Sequence, residues 1–240
     1  MKDLKQNKRL FLEKFLTTEP GTIFQILDNV YGIKADRHQY RYGNMYVIVH
    51  KEEKKLLLID AVREESIRPM KNWTANGYSI SAVFLTHKDL LGQAYASIHQ
   101  ISEDLGEANI FIHPADTPEN SADLFDITCA VDITTDFDVQ VFHSPGHTSG
   151  SIIIYSELND GILFTGDSAV GSPYEEEQYY FERPPNETSE DTKLIHFWQN
   201  FHLPFKHILP LHGKPQFQLN DLQRDYILSN LRKPEKTESL

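Results

Sequence analysis

Residues 144–154 read SPGHTSGSIII: a turn rich in serine and glycine, carrying one histidine, that runs straight into an apolar strand. The same design recurs along the chain. AVFLTH (82–87) ends at His87, VQVFHSPGH (139–147) reaches His147, GILFTGD (161–167) ends at Asp167 and HILPLHG (207–213) arrives at His212. In α/β architectures rigid strands hold residues at their C-terminal ends, while the loops there stay free to vary. Imidazole nitrogens and carboxylate oxygens suit zinc, iron or manganese. A carboxylate can also bridge two ions at a spacing of about 3.5 to 4 Å. Any one of these endings, taken alone, is more often a satisfied residue or a plain turn. Four of them, three with glycine or proline alongside, favour one shared site, because glycine lets backbone approach a small concave centre.

The rest of the composition narrows the class. The chain has 240 residues, 40% hydrophobic and 24% charged, which suits one globular domain with a sizeable core. Its single cysteine, Cys129, excludes an intramolecular disulfide and a cysteine-based zinc site, and reads as a small buried residue. A net charge of −12 argues against non-specific binding to nucleic acid or anionic membrane. No stretch reaches the roughly 18 to 20 apolar residues of a membrane span. The start, MKDLKQNKRLFLEKFLTTEPG, reads as an amphipathic helix ended by Pro20 and Gly21 rather than a signal peptide. A cytoplasmic protein is the expectation, with a helical extension over 1–22, one domain over 23–233 and a disordered tail over 234–240.

Between these ends, MYVIVH (45–50) and KLLLIDA (55–61) form a hairpin around KEEK. Helical spacing covers 64–76, with Pro69 expected to shorten or kink it, and LLGQAYASIHQISEDLG (90–106). NIFIH (109–113) is a strand, and ADTPENSADLFD (115–126) is helix-prone. Strands dominate from 137 to 167, and helices are expected over 192–203 and 220–233. The acidic and aromatic segment 172–191 is too long for a simple connector and suits a lid or a contact with a second copy. Two batches of strands, each followed by helices, suggest two halves packed sheet on sheet with helices outside.

SPGHTSGSIII, ILFTGDS and ILPLHGKP resemble, in order and spacing, the later motifs of the metallo-β-lactamase superfamily. GNMYVIVHKEEKKLLLIDA resembles its opening hairpin, with Asn44 and Asp60 in their usual places. The resemblance covers roughly residues 25 to 215. It implies an α/β, four-layer αββα sandwich with a mono- or dinuclear zinc, iron or manganese site at one edge of the two sheets. In that family a metal-bound hydroxide usually attacks an ester, amide, thioester or phosphodiester. By position, His147 resembles a ligand of the first metal, Asp167 the bridging carboxylate and His212 a ligand of the second. Asp60 resembles a buried acid that orients a ligand from beneath. Thr148 and Ser151 match positions that serve the turn and its packing.

One motif departs from the pattern. Where the family carries H-x-H-x-D-H-x-G, this chain has LTHKDLLGQ (85–93), and two registers compete. In the preferred one, which keeps Gly92 aligned, His87 is the second histidine and Asp89 the aspartate, with Leu85 and Leu90 replacing the lost histidines. In the other, His87 is the first histidine and Asp89 takes the second's place, with Leu91 and Gly92 replacing aspartate and histidine. Either way His87, Asp89, His147, Asp167 and His212 remain, enough for one ion, since a catalytic ion wants about three protein ligands and an open position. Asp89 and Asp167 are the candidate catalytic carboxylates. Lys88 reads as a solvated lysine. His113 and His143 could approach the pocket, though packing at strand ends is the simpler reading, and His38 could line it. The expectation is a metal-dependent hydrolase with a reduced, mononuclear site and a small-molecule substrate. Zinc leads, iron or manganese fit as well, and an empty site in a non-catalytic, ligand-binding protein is the alternative.

Overall fold

The computed structural model describes residues 13–38, 41–119, 121–171, 181–183 and 191–233. The expected tail, most of the 172–191 segment, the first twelve residues of the expected N-terminal helix and the side chain of His38 lie outside them. Seven strands form one sheet in chain order: β1 (Ile23–Leu27), β2 (Val30–His38), β3 (Arg41–His50), β4 (Lys55–Ile59), β5 (Ser79–Phe84), β6 (Asn109–Ile112) and β7 (Leu124–Asp126). Pairing is antiparallel from β1 to β4 and parallel from β4 to β7. The second sheet has the order β13 (His207–Pro210), β10 (Ile162–Gly166), β9 (Ile152–Ser156), β8 (Val139–His143). A two-residue pair, β11 (Val170–Gly171) with β12 (Phe181–Glu182), flanks it.

Period-two alternation sorts each strand between layers. Tyr46, Ile48, Leu57 and Ile59 of the large sheet meet Ile152, Ile154, Ile162 and Phe164 of the small one in the central core. Val47, Val49, Leu56 and Leu58 point the other way, into a layer covered by α1 (Glu64–Ala75) and α2 (Ile98–Asp104). Ile153, Tyr155 and Leu163 face an outer layer built on α4 (Asp191–Asn200) and α5 (Asp221–Leu231). Both sheets are therefore apolar on both faces, and the layers run helix, sheet, sheet, helix. A short helix, α3 (Val131–Asp136), precedes β8.

Several expectations are corrected. β1 and β2 were not legible from the sequence. Residues 90–106 divide into a short 3₁₀ segment (Lys88–Gln93) and α2, which Ser97 restarts by accepting from the Gln100 amide at 3.2 Å. The helix expected over 115–126 is instead one turn, Pro114–Asp116, and the edge strand β7. Asp116 is held there by hydrogen bonds to other loops, so its segment cannot wind further. α1 runs through Pro69 to Ala75, since Ile67, Pro69 and Met70 are all buried against the sheet. Residues 13–17 are helical and bury Phe15 edge-on to Phe24 in the central core, ring centroids 6.0 Å apart. Cys129, read as buried, is exposed.

Candidate metal centre

His87 and Asp89 leave the large sheet at the end of β5, whereas His147, Asp167 and His212 leave the small sheet after β8, β10 and β13. The structure brings all five to one edge of the sandwich. His87 Nε2 lies 3.6 Å from Asp167 Oδ2, and His147 Nε2 lies 3.5 Å from the same oxygen. The two imidazole rings meet edge to face, with centroids 4.8 Å apart. Asp89 Oδ2 approaches His147 Nε2 at 3.2 Å from the open side, half-exposed where Asp167 is nearly covered. His212 Nδ1 sits 2.7 Å from Asp167 Oδ1.

Electrostatics explain why this cluster wants a cation. Burial lowers the His87 pKa, and the opposing Asp167 carboxylate does not restore it, so this imidazole is neutral. The hydroxyl of Thr86 donates to Asp60 Oδ2 at 3.0 Å, and its oxygen then accepts from His87 Nδ1, also at 3.0 Å. That relay leaves Nε2 of His87 with a bare lone pair facing Asp167. Among the described residues, Nε2 of His87 and both ring nitrogens of His147 are buried without a hydrogen-bond partner. Burial pushes the Asp167 carboxyl upward, but the hydrogen bond from His212 and the nearby imidazoles outweigh it, and it stays below the usual range. A carboxylate and two unsatisfied ring nitrogens at such separations repel unless a cation lies between them. Ligand atoms 3.2 to 3.6 Å apart also match the edge of a tetrahedron with bonds of about 2.0 to 2.1 Å, which is about 3.3 Å. One donor atom from each of His87, His147 and Asp167 falls within 4.8 Å of the others. The donor set fits a divalent ion.

Asp60 supports His87 from beneath. It accepts the Thr86 amide at 2.8 Å as well as the hydroxyl. Burial nevertheless pushes its carboxyl up to about 7. Asn44 fastens the opposite wall by donating to the carbonyls of Pro210 and Gly213, both at 2.9 Å. Gly166 turns the chain from β10 into Asp167 with φ of 50°, and a Cβ there would fall 2.3 Å from the Thr86 hydroxyl. Gly166→Ala is therefore expected to cost about 2 to 4 kcal/mol of stability, read by urea unfolding, and to disturb the relay to His87.

Asp116 carries no signal in the sequence that marks it, yet it ties the two loops of the centre together. Its buried carboxylate accepts from the Lys88 amide (2.9 Å), the Gly150 amide (2.8 Å) and the Thr148 hydroxyl (2.5 Å). Ser151 completes the turn by accepting from the Thr148 amide at 2.9 Å. Only the chance that Asp116 follows a strand-end histidine could have drawn notice to it. Asp116→Ala strands three buried donors and is expected to lose about 2 to 4 kcal/mol in urea unfolding, with Asp116→Asn losing less.

The remaining candidates fall elsewhere. Leu85 and Leu90 are buried in the outer apolar layer with Val83, Ile110 and Ile112. His113 and His143 stack on each other at 4.0 Å. Nδ1 of His113 accepts from the Ala115 amide, and His143 Nε2 is bonded to the Ser149 carbonyl, so both are engaged in packing and turn formation. Lys88 is exposed.

Two sheets in these orders, flanked by helices and carrying histidines and aspartates at one edge, decide the architecture. This chain has the metallo-β-lactamase fold. Its structure superposes on that of the DIM-1 metallo-beta-lactamase with a TM-score of 0.62 at 15% identity, covering 88% of this chain and 94% of the other. A metallo-beta-lactamase from Pontibacter korlensis gives 0.62 at 16% identity over 89% and 99%. ETHE1 from Myxococcus xanthus gives 0.54 at 18% identity over 85% and 92%. At these identities the likeness establishes the metallo-β-lactamase fold and no more. No protein-family model and no curated protein sequence matches the chain. Among the described residues no helix is long and apolar enough to cross a membrane.

Proposed function

We propose that the chain is a metal-dependent hydrolase of the metallo-β-lactamase superfamily, working with one divalent ion on a small-molecule ester, thioester, amide or phosphodiester. The observation that carries this reading is the bare Nε2 of His87 and the unpartnered His147 ring facing the Asp167 carboxylate. His87, His147 and Asp167 would hold the ion, with Asp89 at its open side. Zinc suits these donors best, and iron or manganese suit them too. When bound, such an ion supplies Lewis acidity and brings the pKa of a coordinated water down towards neutrality. Asp89, half-exposed beside His147, would serve as the proton acceptor at its free oxygen and return the proton to the leaving group. Asp167 is held in orientation by His212, whose Nδ1 lies against both of its oxygens.

Placement also favours one register of LTHKDLLGQ over the other. Leu85 and Leu90 fill the outer apolar layer, whereas His87 and Asp89 reach the cluster. We therefore read His87 as the first histidine of the motif and Asp89 as the substitute for the second, reversing the preference drawn from Gly92. Leu91 and Gly92 then stand where a second ion would find its aspartate and histidine, which supports a single ion. The acidic surface favours a small molecule over nucleic acid, and a reducing cytoplasm suits the single thiol.

Elemental analysis of protein supplemented with zinc, iron and manganese separately tests the reading, together with assays on nitrophenyl esters and bis-nitrophenyl phosphate. The expected result is about one ion per chain and hydrolysis that a chelator abolishes and metal restores. An ion bound without any hydrolysis would favour the ligand-binding alternative, and no ion under any supplementation would sink both the centre and the activity.

A further inference from the structure

Among the described residues, no acid answers the charge of Arg63. It precedes α1, three residues after Asp60, and its guanidinium is only partly buried. An arginine offers five N–H donors, yet among the described residues its one hydrogen bond is from Nη2 to the Gln93 side chain, and no carboxylate pairs with it. Lys51 finds an acid in Asp28, and Lys71 finds one in Asp104. Arg63 does not.

Its position is fixed from two sides. Gln93 belongs to the turn that begins with Lys88 and Asp89. Gly43 lies directly against the guanidinium, since a Cβ there would fall 3.2 Å from Arg63 Cζ. Gly43 in turn bridges His212 in antiparallel register, which puts their Cα atoms about 5 Å apart. The unpaired fork therefore stands between the loop bearing His87 and Asp89 and the strand exit bearing His212. Gly43 leaves it room there by lacking a side chain.

We propose that Arg63 is the anion-recognition residue of this site, holding a carboxylate or phosphate group of the substrate beside the scissile bond. The proposal rests on the hydrolase reading and adds the substrate class: small molecules that carry an oxyanion of their own. A guanidinium presents two parallel N–H groups that match carboxylate and phosphate oxygens, a geometry that lysine lacks. A chain with net charge −12 repels anions over most of its surface, so an anionic substrate depends on a local cation to draw it in.

Calorimetric titration of the full chain with glutarate and, separately, with inorganic phosphate tests this. Both zinc-loaded and chelator-treated protein are used, with Arg63→Met, Arg63→Lys and Lys88→Met compared to wild type. Whichever anion binds identifies the oxyanion, and chelator-treated protein removes direct binding to zinc. Arg63→Met is expected to weaken that anion by about 10- to 100-fold in both forms, and Arg63→Lys by several-fold. Lys88, which lines a cavity of about 740 Å³ beside Asp89, controls for the general field, and its loss is expected to matter far less. Unchanged binding in folded Arg63→Met, no binding of either anion to wild type, or an equal loss in Lys88→Met would overturn the proposal. Should Arg63→Met not fold, an unchanged affinity in Arg63→Lys overturns it instead. Zinc content and ester hydrolysis, measured in parallel, report on the hydrolase reading separately.

Discussion

His147→Ala is expected to weaken zinc binding by more than about 100-fold, because even losing a group that only orients a ligand costs about 10- to 100-fold. Its ring nitrogens make no hydrogen bond within the described structure, so the truncation removes a donor without breaking a network. The metal-free variant should therefore unfold close to wild type, while the stabilisation that zinc confers on wild type disappears. At a free zinc concentration about 100 times Kd that stabilisation is about 2.7 kcal/mol. Thermal melts with and without zinc, beside a competition titration against a chromophoric chelator, separate the two effects. A variant that keeps wild-type affinity would remove His147 from the centre.

Asp60→Asn should cost about 10- to 100-fold in metal affinity without touching a ligand. Above about pH 7, where Asp60 is ionised, the wild-type carboxylate accepts from the Thr86 hydroxyl, which obliges His87 Nδ1 to donate and leaves Nε2 bare. An amide nitrogen in place of Oδ2 donates to Thr86 instead, so the hydroxyl turns toward His87 and the proton moves to Nε2. That tautomer cannot ligate. A second readout follows from the raised pKa of Asp60, about 7 against an ordinary 3.8. Between about pH 4 and 7 the native metal-free chain holds a proton that the unfolded chain has lost. Its stability therefore falls as pH rises through that window, by up to about 4 kcal/mol. Asp60→Asn should flatten this slope, seen as urea midpoints that no longer drift between pH 5 and 7. A slope unchanged by the substitution would assign the drift to other groups.

Strand ends were the most legible part of this chain. His147, Asp167 and His212 each follow a dense apolar run with glycine nearby, so their convergence was readable before any coordinates. The layered plan followed from two batches of strands, each followed by helices, and the four-layer sandwich from the resemblance to the metallo-β-lactamase superfamily. The register of residues 85–92 was less readable, because a leucine at a ligand position and a leucine in the outer layer look alike in sequence. Only the packing of Leu85 and Leu90 tells them apart. Asp116 was invisible for another reason: a carboxylate that accepts three hydrogen bonds from donors 28 to 34 residues away leaves no local pattern. β1 and β2 escaped because polar residues interrupt their alternation, and the pairing of β1 with β2 and of β2 with β3 supplies what propensity does not.

The donors of the centre come from both sheets, His87 and Asp89 from one, His147, Asp167 and His212 from the other. An ion there is a cross-link between segments distant along the chain, and it acts on the unfolded ensemble as a loop closure does. Without it, the sandwich edge is held by Asp116, by Asn44 and by apolar contact between the sheets. Hydrogen exchange should therefore slow with metal at the amides of Thr86, Lys88 and Gly150 before it slows in β3 and β4, whose protection comes from the core. The order of those changes would show the two sheets opening like a book along the edge that an ion would clasp.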